Sequence, residues 1–240
     1  MASVCVCSDY FIVDDDGSLC LKPGTMGLRQ VLYFGEPGTY SFEKADYPWL
    51  ANVRVKVQAG GGGAAGARAD AGELVATQGA AGGGYSESFI AASSLGSSES
   101  ITVGAGGTAG DPDTDGGAGG NSNFGGFAVA NGGAGGPVGM TSGTTPAAFS
   151  GIAAPLAGVG DYRTGGGAGG GALRLSGGEG QSGQGGESHL GHGGFQRSSN
   201  GGGGASRGFG GGAAGALARN NTSTNGTEGG RGIVIVELYG

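Results

Sequence analysis

Asp111-Pro112-Asp113-Thr114-Asp115-Gly116 sets three carboxylates at alternate positions ahead of a glycine. This matches the first half of an EF-hand-like calcium loop, in which oxygens at positions 1, 3 and 5 face the ion while glycine turns the chain. Position 12 of that loop is Ser122 rather than a bidentate Glu, and no helical pattern flanks it, so an acidic surface turn is the competing reading. His189 and His192 are the only histidines. With Glu187 they offer at most three weak ligands per chain. A trimer would repeat that set around an axis and could hold an axial metal; otherwise they are two loop imidazoles. Cys5, Cys7 and Cys20 make an odd set. Cys5 and Cys7 share one strand face, a poor geometry for pairing. Three reduced, buried thiols fit better than a zinc site lacking its fourth ligand.

Little else in the chain could carry a reaction. Lysine is absent after Lys56, so the many glycine matches to phosphate loops lack their lysine. Two neighbouring histidines leave little room for a Ser-His-Asp triad, and no nucleophile elbow follows a clear strand. Spatial carboxylate pairs of the glycosidase type are not legible in a sequence. The expectation is a protein that is not an enzyme and uses no cofactor. Recognition is the chemistry that remains. Pro137 to Thr164 is the longest break in the glycine pattern and combines three prolines with Met140, Phe149, Ile152, Leu156, Val159 and Tyr162. Prolines stiffen a loop and aromatic rings supply contact area. The rival reading folds these side chains back as a cap. Phe195 and Arg197, within the break Glu187–Asn200, are further candidates.

Composition says what must position these groups. Of 64 glycines in 240 residues, all but Gly17, Gly24, Gly27, Gly35 and Gly38 lie from Gly60 onward. Net charge is −7, and the nine arginines are scattered singly. A nucleic-acid partner, which needs clustered Lys and Arg, is not expected. No 18-residue apolar run is present, so membrane insertion is not expected. Residues 1–20 carry four aspartates and no basic start, unlike a Sec-type signal.

Strand patterns bracket the glycine region. Phe11-Ile12-Val13 and Leu19-Cys20-Leu21 flank an acidic turn ending in Gly17, the mark of a hairpin. Val31–Phe34 and Thr39–Phe42 are strand candidates. Val53 to Gln58 alternates, with three valines on one face and Arg54, Lys56 and Gln58 on the other. Ile233 to Leu238 is apolar on both faces, as in a central strand. Val53–Val57 should therefore pair with Ile233–Val236 and close the glycine region at its base. Within that region no Gly-X-Y period runs, which excludes collagen. Flexible disorder competes with a bundle of polyglycine helices, three residues per turn, whose parallel neighbours satisfy each other's N–H and C=O groups. Low charge, the bracketing strands and apolar residues beside the glycine clusters (Phe89, Ile90, Phe124, Phe127, Leu173, Leu175, Phe195, Phe209) favour order, with those residues sealing the bundle edges. The expected fold is mostly β and irregular with essentially no α-helix: a small β base carrying a polyglycine-II bundle.

The order Gly38-Thr39-Tyr40-Ser41-Phe42, Val53-Arg54-Val55-Lys56-Val57, Gly60–Gly63, Ile101-Thr102-Val103-Gly104, Asn121–Gly125 and Gly230-Arg231-Gly232-Ile233-Val234-Ile235 resembles the glycine-rich domain of bacteriophage minor tail and tail-fibre proteins, especially of phages of actinobacteria. The likeness covers residues 38–240 and leaves 1–37 as an attachment segment. It implies a virion protein near the tail tip, assembled in the host cytoplasm, with polyglycine-helix adhesin character and recognition loops at one end. The partners it implies are other tail proteins and a host cell-surface component, a glycan among the candidates, with self-association as a homotrimer. A purely structural decoration or scaffold role is the alternative.

Overall fold

The computed structural model describes residues 8–22 and 24–240. Among these there is no α-helix; the chain is mostly β and irregular, with two 3-10 turns at Lys44–Asp46 and Ala92–Ser94. Cys5 and Cys7 lie outside the described residues.

Strands Asn52–Gln58 and Ile233–Tyr239 pair antiparallel, with Val55 opposite Val236 and Val57 opposite Val234. Val53, Val55, Val57, Val234, Val236 and Leu238 are fully buried on one face. A one-residue slip would turn that whole row outward, so the alternation itself fixes the register. Tyr85–Ala91 and then Tyr162–Thr164 extend the sheet on one side, and Leu28–Phe34 forms its other edge. A second sheet, in the order Ala128–Ala130, Ser122–Phe124, Ser98–Val103, Gly38–Glu43, supplies Phe42, Ile101, Val103 and Phe124 to the same core. The result is a β-sandwich base with its apolar faces inward. The two ends of the glycine region meet as their patterns imply, but the base is larger than those ends. Five of its strands come from inside the glycine region. Ile90 and Phe124, expected to seal bundle edges, are buried in this core instead, whereas Phe89, Leu173, Leu175 and Phe195 stay exposed. Leu28–Phe34 falls within residues 1–37 and is part of the base sheet, so the hairpin Phe11–Val13/Leu19–Leu21 is the part of that segment standing apart.

Beyond the base the glycine segments run side by side, and their hydrogen bonds repeat every third residue. Gly60 and Gly63 donate to the carbonyls of Gly120 and Gly117, Gly61 and Ala64 to those of Gly230 and Thr227, and Gly62 to Ala81. The carbonyls of Gly60 and Gly63 accept from Gly133 and Gly136, those of Gly61 and Ala64 from Gly107 and Gly110, and that of Gly62 from Ala213. Three segments accept and three donate, so six surround the central one. That is the pattern of a three-residue-per-turn helix in a hexagonal array. The neighbours run both ways: 117–120 is antiparallel to 60–63, and 133–136 is parallel to it. Parallel neighbours alone, the sequence expectation, are not required, because each helix bonds along separate directions. Glycine is needed for the approach. A Cβ on Gly79 would lie 1.9 Å from the Gln184 carbonyl oxygen, and one on Gly62 would lie 2.0 Å from that of Ala134.

Such bonds are worth about 0.5–1.5 kcal/mol net each, while ordering a residue costs about 1–2 kcal/mol. The lattice therefore needs its ends clamped. One clamp is the base. The other is a far-end cluster in which Leu74, Val75, Met140, Leu217 and the methyls of Ala67, Ala172 and Ala216 are buried, with Phe149 packed against them. The chain crosses between the two clamps repeatedly, leaving Gln58, turning over residues 67–76 and returning along 79–84.

Candidate functional site

The outer face of the five-stranded base sheet carries what the inner face excludes. Strand alternation places Arg54 and Lys56 beside Glu87, Phe89, Glu237 and Tyr239 on neighbouring strands. Arg54 Nη2 lies 2.5 Å from Glu87 Oε1, and Lys56 Nζ lies 2.5 Å from Glu237 Oε1. The second oxygen of each carboxylate accepts from a phenol: Tyr85 donates to Glu87 Oε2 at 2.7 Å and Tyr239 to Glu237 Oε2 at 3.0 Å. Burial, then the bond to Glu87, pushes the Tyr85 phenol far above its usual range. Burial alone would raise the Glu237 carboxyl, but the hydrogen bonds from Lys56 and Tyr239 outweigh it and hold that carboxyl below the usual range.

Aromatic rings flank these charges. Phe89 meets Tyr239 edge-on at 5.8 Å, and His189 stacks on Tyr85 at 4.1 Å with Tyr162 beside it. A shallow hollow of about 350 Å³ opens among Arg54, Glu87, Phe89, Asp161, Tyr162 and Tyr239. Asp161 is fixed at its rim: its Oδ2 accepts from the Phe89 N–H at 2.9 Å. Phe89 and Tyr162 are more than half exposed. Exposed ring faces beside hydrogen-bonding groups that are already held in place give the hollow apolar contact area and fixed polar partners. Glu87 and Glu237 spend both oxygens on structure.

The sequence candidates scatter around this site. Tyr162 lies at the hollow, on the edge strand beside Tyr85–Ala91. Met140 and Phe149 belong to the far-end cluster, Ile152 bridges to Gly169 between the clamps, and Leu156 is 83% exposed. The stretch 137–164 is thus not one loop at one end: it runs from the far cluster back to the base. Phe195 is exposed with the Arg197 guanidinium 5.7 Å from its ring centre, also away from the hollow. His189 joins the aromatic group, whereas His192 pairs with Glu187, Nδ1 to Oε2 3.0 Å. Asp111, Asp113 and Asp115 do not converge. Asp115 accepts from the Val138 N–H, Asp111 faces the Asn225 amide, and Asp113 takes a left-handed turn at φ 63°. Among the described residues no three His, Cys, Asp or Glu side chains gather as a metal site. A separate hollow of about 430 Å³ at the far end, lined by Arg68, Asp70, Asp113 and Met140, lacks exposed aromatic rings.

Two buried polar residues escaped the sequence reading. Gln58, placed by alternation with Arg54 and Lys56, is fully buried. It donates to the carbonyls of Gly83 and Gly84 and accepts from the Leu190 N–H, joining sheet to bundle. Arg174 is buried and donates to the carbonyls of Leu74, Thr141 and Thr145. The one available signal was position: Gln58 is the last strand residue before the glycines begin. No family model matches the chain, and no curated protein matches it.

Proposed function

We propose that this chain is a non-enzymatic phage virion protein, a minor tail or tail-tip component that adheres to the host surface. The observation that carries the reading is the period-three glycine lattice clamped between two apolar cores. It holds the base in place, and the base presents a preformed aromatic and charged hollow on its outer face. The resemblance of residues 38–240 to tail glycine-rich domains supplies the setting. Other tail proteins are the proposed partners on the particle, and a surface glycan or protein is the partner on the cell. Tyr33, exposed on the edge strand Leu28–Phe34 away from that hollow, supports self-association, with a homotrimer as the expected mass by light scattering.

Fluorescently labelled protein should decorate cells within a panel of actinobacteria. The double variant Phe89→Ala, Tyr162→Ala should lose that binding at an unchanged melting temperature. Protein that is present in purified particles yet labels no cell would instead favour the scaffold reading, to which the exposed N-terminal hairpin also points.

A further inference from the structure

Among the described residues, the hairpin Phe11–Val13/Leu19–Leu21 forms a two-stranded sheet by itself. Phe11 pairs with Leu21 and Val13 with Leu19, and cross-strand partners share a face. One face is therefore wholly apolar. Val13 is 66% exposed, Leu19 52% and Leu21 44%, and Ile12 on the other face is 41% exposed. An isolated two-stranded hairpin is marginal in water, and a contiguous apolar face left in solvent marks an interaction site. The hairpin leads into the edge strand beside Gly240, whose carbonyl accepts from the Met26 N–H. It therefore sits at the pole of the base remote from the bundle. Its tip carries Asp14, Asp15 and Asp16. Asp14 and Asp16 accept from the Ser18 N–H and fix the turn, while Asp15 takes no part in those bonds.

We propose that this hairpin is a docking plug that inserts into an apolar groove of a different protein, one whose groove mouth carries Lys or Arg to meet Asp14–Asp16. Size argues against a second copy of this chain as the occupant. At about 3.3 Å per residue the strands are about 10 Å long, and one such face pressed on its twin buries far less than the roughly 800 Å² per partner of a stable interface. A groove enclosing both faces and edges multiplies the covered area. Charge points the same way, because the chain is net acidic and the tip needs a basic counterpart.

The proposal rests on the virion reading for its partner, another protein of the particle, and the test separates the two. Particles are made with Val13 replaced by the photocrosslinking residue p-benzoylphenylalanine, irradiated and analysed by mass spectrometry. A cross-link to one other particle protein is expected, at a peptide carrying Lys or Arg. Asp15→Lys, which leaves the turn bonds intact, should lower incorporation about tenfold, equivalent to one ion-paired contact, and Leu19→Lys should lower it further. Cross-links only within this chain or to a second copy of it would overturn the proposal, as would normal incorporation of both variants. Absence of the wild-type protein from purified particles would instead remove the virion reading, and the docking proposal with it.

Discussion

Gly79 and Gly178 show how much the same residue type can differ in what it must do. A methyl on Gly79 would meet the Gln184 carbonyl at 1.9 Å, while one on Gly178 has nothing within 4 Å. Gly79→Ala should therefore destabilise by about 3 kcal/mol, because backbone rather than a flexible side chain has to move. Gly178→Ala should be neutral or stabilise by about 0.5 kcal/mol through the unfolded chain. Thermal melts of the two variants check this. Glu237 makes a prediction in pH. Its folded carboxyl titrates below its unfolded value near 4.5, so the stability it contributes is full above that pH and is lost as pH falls through the folded value. The stability gap between wild type and Glu237→Gln, measured by urea unfolding, should be constant near neutrality and close on acidification below 4.5. A gap that widened in acid would refute the assignment.

At the scale of elements, the strands were legible where alternation met burial. Val53-Arg54-Val55-Lys56-Val57 announces a half-buried strand, and its partner at Ile233–Leu238 follows from closure. The short strands Ser122–Phe124, Ala128–Ala130 and Tyr162–Thr164 were not legible, because three residues are too few to show a period and only the tertiary neighbours define them. The hollow was hidden for the same reason. Arg54 and Glu87 are 33 residues apart, and Asp161 reaches Phe89 across 72; spacing along the chain says nothing of such meetings. Tyr162 was singled out as a loop residue and proves to be a strand residue at that hollow. Met140 and Phe149 read as equally available for contact, yet they are spent on the far clamp. Burial also splits the two central strands. Val55→Asp should cost more than 3 kcal/mol, since an unpaired carboxylate enters the sandwich core, whereas Ile235→Asp on the half-buried outer face should cost markedly less. Equal losses in chemical denaturation would show that the two faces are not distinguished as described.

At the scale of the whole molecule, the protein is a glycine lattice held between two hydrophobic clamps. Its glycine content reads equally well as disorder, because glycine loses most on ordering and returns no apolar area. What decides the matter is the closure of the ends by base and far cluster, and of these only the paired base strands Asn52–Gln58 and Ile233–Tyr239 were legible in the sequence. The far cluster is built largely from alanine methyls, Leu74, Met140 and Leu217, residues too dispersed to announce a core. Amide hydrogen exchange tests the lattice most directly. The N–H groups of Gly60, Gly62, Gly63, Gly79 and Gly82 each donate to a carbonyl inside the bundle, so they should exchange at rates set by global unfolding, alongside those of Val55 and Val236. Exchange of these glycines at the rate of a free chain, while the base strands stay protected, would contradict the lattice and leave the region a flexible insertion.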